Sequence, residues 1–202
     1  MATKGKLKRS AFFSAIISFI AFAYKMGLGI ITTSMVLMVA SLSTLLVFIC
    51  KVAFVKSVTK TREKKKKAYV VMTVASLLFT LLFLAFVVLK IFGIDTSNKN
   101  TYEGLLGGLL IGFSLLMLIL SCFGLKGALE KTDLMVIGLK EITFISALTD
   151  VVIITEFVSR IILEYKEIEY MNLITSYVPL GVGALMLITN IFMIVRCIRY
   201  KA

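Results

Sequence analysis

The residues of this chain best suited to chemistry sit where polar groups are least expected. Residues 140–160 read KEITFISALTDVVIITEFVSR, and they set Thr143, Ser146, Thr149, Asp150, Glu156 and Arg160 within an otherwise apolar run. At 100° per residue these six project within an arc of roughly 140°, a polar stripe along one face of a helix. A charged side chain at the centre of a bilayer costs about 2.5–3.5 kcal/mol on insertion scales, so such a stripe must face other helices or water and not lipid. Asp150 falls near the midpoint of the run and Glu156 about 9 Å further along. Glu156 and Arg160 stand four apart and can pair on one helix face. Asp150 has no partner within its own helix. The stripe fits two roles: a polar path or midplane binding site formed by Asp150, Glu156, Thr149 and Ser146, or structural hydrogen bonds between helices.

Other residues bear on the same question. Asn190 adds an amide to a later apolar run, and Pro179, the single proline of the chain, removes a backbone hydrogen bond there and is expected to kink its helix. Gly104, Gly108 and Gly112 recur every four residues and form a flat face on which another helix backbone can pack, either within this chain or in a second copy. No motif for catalysis appears. With no histidine in the chain, zinc proteases of the HExxH type and histidine proton relays are excluded, and a two-aspartate membrane protease lacks its second deep aspartate. No phosphate-binding GxxxxGK[ST] run or dinucleotide fingerprint occurs. Cys50, Cys122 and Cys197 lie far apart, as free thiols and not as a redox pair. The expectation is a non-enzyme with no metal and no cofactor.

The elements that must position these residues are membrane helices. Apolar residues make up 59% of the chain and mean hydropathy is +1.01, more hydrocarbon than a water-soluble core of this length can hide. Six apolar stretches, near residues 10–26, 28–50, 68–91, 104–124, 137–162 and 173–195, predict an all-α helix bundle forming one integral membrane domain. The basic start MATKGKLKRS superficially matches a secretory signal. The apolar run that follows passes directly into a second one with no cleavage site, so it reads as the first membrane helix.

Charge orients the bundle. With six crossings, the N-terminal tail, the loop 51–67, Lys126, Lys131 and the C-terminal tail share one side, while Lys25, Lys99 and Lys166 fall on the other. The inside bias of Lys and Arg makes that first side, with both termini, cytoplasmic. The net charge of +12 is explained by this topology, and no nucleic acid is expected as a partner. The cluster Lys64, Lys65, Lys66 and Lys67 beside two spans suits anionic lipid headgroups or an acidic partner protein. Lysine outnumbers arginine 18 to 5, which suggests a bacterial source and hence a plasma-membrane location. Two functions from different classes follow. One is a small multi-pass protein that binds or moves a small solute or ion, alone or as the membrane subunit of a transport complex, with Asp150 at its centre and Glu156, Arg160 and Asn190 around it. The other is a membrane scaffold or regulatory subunit that binds another membrane protein through the Gly108 face and the basic loop.

Overall fold

The computed structural model describes residues 2–57, 61–92, 105–130, 133–165 and 170–200. All of the regular structure in them is helical: α1 (Ala2–Ile31), α2 (Met35–Ser57), α3 (Arg62–Ile91), α4 (Leu105–Leu129), α5 (Leu134–Tyr165) and α6 (Tyr170–Arg199). All six are long and apolar enough to cross a membrane. The helices overrun the stretches read from hydropathy because hydropathy marks the lipid-facing core, whereas backbone hydrogen bonding continues into the headgroup layer. The 30 residues of α3 span about 45 Å against a ~30 Å hydrocarbon core, so its Arg62–Lys67 turns extend beyond the core.

The largest revision concerns the first crossing. The apolar stretches put the end of the first crossing at residue 26 and the start of the second at 28, yet α1 continues through Gly27 and Gly29 to Ile31. Gly29 serves close packing: a Cβ there would lie 3.1 Å from Met38 Cγ and 3.2 Å from Leu37 Cβ of α2. The helix then stops in a Schellman arrangement, with Ser34 N–H donating to the Gly29 carbonyl at 2.9 Å and Thr33 N–H to the Ile30 carbonyl at 3.2 Å. Thr33 occupies the left-handed position at φ 50°, where glycine is usual. Ser34 stands just before α2 as its N-cap, with the Leu37 N–H donating to its hydroxyl at 3.5 Å. Lys25, which the sequence puts at the outer edge of the first span, therefore lies well inside α1, about 9 Å from its end.

α5 is the hub. It packs on α2, α3, α4 and α6; α3 also packs on α6 and α2, whereas α1 rests on α2 and α4 on α5 alone. Of the membrane-length windows, α5 is 61% buried and α4 17%. Burial explains why α5 can carry charge, since its stripe meets protein on nearly every side. Two further glycines set close contacts: a Cβ on Gly138 of α5 would lie 2.6 Å from the Tyr69 ring of α3, and one on Gly183 of α6 would collide with Leu84. Gly108 and Gly112 have no atom within 4 Å of such a Cβ, so among the described residues nothing packs closely on them. Gly104 lies outside the described residues. α6 runs unbroken through Pro179, a position neighbouring helices can tolerate in a membrane.

Side-chain bonds bring the helix ends together in an up-and-down order. Lys65 near the start of α3 pairs with Asp133 before α5 at 2.7 Å. Arg62 donates to the Tyr200 hydroxyl at 3.0 Å and stacks on that ring. Lys51 near the end of α2 reaches Ser18 and Ser14 of α1. One end of the bundle thus gathers Lys56, Arg62, Lys64–Lys67, Lys126 and Arg199.

Candidate functional site

Three carboxylates on α5 are buried, and each meets a cation from a different helix. Asp150 accepts from Lys25 of α1, Glu156 from Lys90 of α3, and Glu141 from Arg196 of α6. The central pair is the most enclosed, with Lys25 and Asp150 each 2% exposed. α1 can deliver an ammonium there because its inward stripe is Ala15, Ser18, Ala21, Lys25 and Gly29, small residues at helical spacing that let the lysine lie along the helix. Lys25 also lies 3.5 Å from Thr44 Oγ1 of α2.

Beside this pair is a cavity of about 10 Å³, walled by Ser18, Ala21 and Lys25 of α1, Thr44 and Val47 of α2, Phe113 and Met117 of α4, and Thr143, Ser146, Ala147 and Asp150 of α5. That is space for roughly one water molecule. On its membrane side, an apolar groove of about 460 Å³ runs between α1 and α4, lined by Ile17, Ile20, Ala21, Tyr24, Leu109 and Phe113. Ala21 and Phe113 line both spaces and so form the partition between lipid and the ion pair.

The residues of the stripe divide among distinct surroundings. Ser146 and Thr143 line the cavity with Asp150. Thr149 turns to α2, where Ser43 Oγ lies 2.9 Å from Thr149 Oγ1 and 3.0 Å from Ser146 Oγ. Glu156 is absent from the cavity wall and pairs across to Lys90 of α3. The side chain of Arg160 lies outside the described residues. Asn190 is also elsewhere: its amide donates to Thr80 Oγ1 at 2.8 Å and to the Met186 carbonyl at 2.9 Å, tying α6 to α3. Glu141 does not pair with its neighbour Lys140 but accepts from the Tyr69 hydroxyl at 3.0 Å as well as from Arg196. Cys50, Cys122 and Cys197 are free thiols, Cys50 buried.

Sequence reasoning missed Lys25 and Lys90 as partners because both stand near the ends of apolar runs, where a lysine reads as an interfacial anchor. A signal was present for Lys25 in the small-residue stripe that leads to it. None distinguishes Lys90. Compared with protein-family models, with curated proteins and with solved structures, the chain matches none.

Proposed function

We propose that this is a small multi-pass membrane protein that binds or moves a small solute or ion through the space enclosed by α1, α2, α4 and α5, with the Lys25–Asp150 pair as its latch. The observation that carries the reading is this pair, closed over a water-sized cavity at the middle of α5 and hydroxyl-lined by Ser18, Thr44, Thr143 and Ser146. Buried ion pairs contribute little net stability compared with apolar residues of the same volume, so the pair that lies beside a water-sized space where four helices meet is better explained by an exchange of partners than by folding. Opening requires little disruption. α1 and α4, two walls of the space, make no helix–helix contact with each other and rest on one neighbour each. In this reading both termini and the basic end are cytoplasmic, Lys64–Lys67 hold anionic headgroups, and the chain resides in a bacterial plasma membrane, alone or as the membrane subunit of a transport complex.

The test is flux. Purified protein in vesicles is assayed against a panel of ions and small solutes, beside the double variant Lys25→Met/Asp150→Leu, which removes both charges together. Flux in the native protein that disappears in the double variant, at equal protein content, supports the reading. Flux that persists rejects the latch. A second reading, a scaffold that binds another membrane protein or a second copy through α4, is favoured by one observation: Gly108 and Gly112 face open space on the least buried helix. It expects bulky residues at Gly108 to abolish complex formation while the double variant leaves it intact.

A further inference from the structure

The charges on the two sides of α5 do not balance. Toward α3 and α6, the two cations that reach carboxylates of α5 are matched one to one, Lys90 with Glu156 and Arg196 with Glu141, and the remaining cations of those helices gather at the basic end of the bundle. Toward α1, α2 and α4, the buried and half-buried groups among the described residues are three ammoniums, Lys25, Lys51 and Lys140, against Asp150 alone. Lys25 takes Asp150. Lys51 is left 7% exposed with no carboxylate partner among the described residues; its Nζ donates to Ser18 Oγ at 2.7 Å and to the Ser14 carbonyl at 3.1 Å. An ammonium has three donors, and among the described residues the third has no acceptor. Lys140 of α5 is near enough for its charge to act on Lys51. It lies across α4 where Gly124 leaves room, since a Cβ there would come within 3.0 Å of Lys140 Nζ.

Two cations held together in a low-dielectric space repel each other, and an anion between them removes that repulsion. We propose that Lys51 and Lys140, with the Ser18 hydroxyl, form a binding site for an oxyanion of the phosphate type. An oxyanion offers several acceptor oxygens to donors that arrive from α1, α2 and α5, where a single-point anion meets one or two. The inference rests on the solute-binding reading above and names its substrate class. Ser18 belongs to both places, accepting from Lys51 and lining the cavity that holds Lys25 and Asp150. The lysines therefore stand at the charged end of the same four-helix space, and an oxyanion that advances past Ser18 meets Lys25, which can release Asp150 to receive it. No covalent step is involved.

The test uses the full chain in phosphatidylcholine nanodiscs, titrated with inorganic phosphate at constant ionic strength while thermal unfolding is followed. Phosphate raises the unfolding temperature of the native protein. Lys51→Met and Lys140→Gln each shift the titration midpoint upward by about tenfold or more, and Lys126→Gln, at an exposed cation of the same end, leaves it in place. In a second arm, native mass spectrometry of protein from nanodiscs containing phosphatidic acid asks whether that lipid is retained and whether Lys51→Met and Lys140→Gln lose it. A phosphate response assigns the site to a free anion. Retained phosphatidic acid without a phosphate response assigns it to a headgroup, and both support the site. A native protein that answers to neither, or responses that survive both lysine variants, overturn it. If Lys51→Met does not fold, Lys140→Gln carries the comparison alone. Water access to Ser146→Cys separates the two claims: access without oxyanion binding leaves the solute reading standing, and oxyanion binding without access leaves only the site near Lys51.

Discussion

At the scale of single residues, the Lys25–Asp150 pair makes an unequal demand on its two members. Removing one partner strands a charge among apolar helices, so Asp150→Leu or Lys25→Met alone is expected to destabilise the fold by about 3–5 kcal/mol. The double variant should recover most of that loss, to within about 1 kcal/mol of the native protein. Unfolding in mixed micelles measures the coupling directly. Lys51 carries the opposite expectation. With no carboxylate facing it among the described residues, Lys51→Met in the absence of phosphate should leave stability equal or higher, and a large loss would reveal a counter-charge. Asp150 and Glu156 were legible in the sequence because an acid inside an apolar run has no ordinary explanation, whereas Glu141, beside Lys140 at the edge of the run, was not. The partners of Asp150 and Glu156 were not legible, since a lysine near a helix end looks the same whether it snorkels to water or turns inward, and only the packing of α1 against α2 decides the direction for Lys25.

At the scale of elements, glycine placement separates the contacts that hold the bundle from a face it leaves bare. Gly138→Ala should cost about 1–3 kcal/mol by driving a methyl into the Tyr69 ring, whereas Gly112→Ala should change stability by less than about 0.5 kcal/mol. The sequence pointed to the α4 glycines as a packing face because their four-residue spacing is regular. Gly29, Gly138 and Gly183, which pack within the chain, carry no such four-residue spacing. The turn between α1 and α2 offers a separate check. Thr33→Gly places the residue that tolerates φ 50° at that position and should raise stability by about 1 kcal/mol. The existence of six helices was readable from hydropathy, but the end of α1 was not. Gly27 and Gly29 read as chain-breakers in water and act as close-packing positions between membrane helices.

At the scale of the molecule, the proposed topology has six crossings and so puts both termini on one side, and the inside bias of Lys and Arg, applied to Arg62, Lys64–Lys67, Lys126 and Arg199 at one end, assigns that side to the cytoplasm in this proposal. Reporters fused to each terminus should both report the cytoplasm, and opposite answers would remove one crossing. Within the membrane-spanning part of the bundle, the cations that α3 and α6 turn to α5, Lys90 and Arg196, are matched by Glu156 and Glu141, whereas on the side of α1, α2 and α4 the described cations Lys25, Lys51 and Lys140 meet Asp150 alone. Sequence alone supplied the net charge but not this division, because the sides of α5 are assigned only when its neighbours are known. The account turns on whether the side of α1, α2 and α4 opens to water. In protein with Cys50, Cys122 and Cys197 replaced, the decisive measurement is the rate at which Ser146→Cys, reconstituted in vesicles, reacts with a small water-soluble thiol reagent. The account expects slow but complete labelling, reduced by about tenfold or more when Lys25→Met/Asp150→Leu seals the space with apolar groups. No labelling at position 146, while Lys126→Cys at the exposed end of α4 reacts fully, would contradict it.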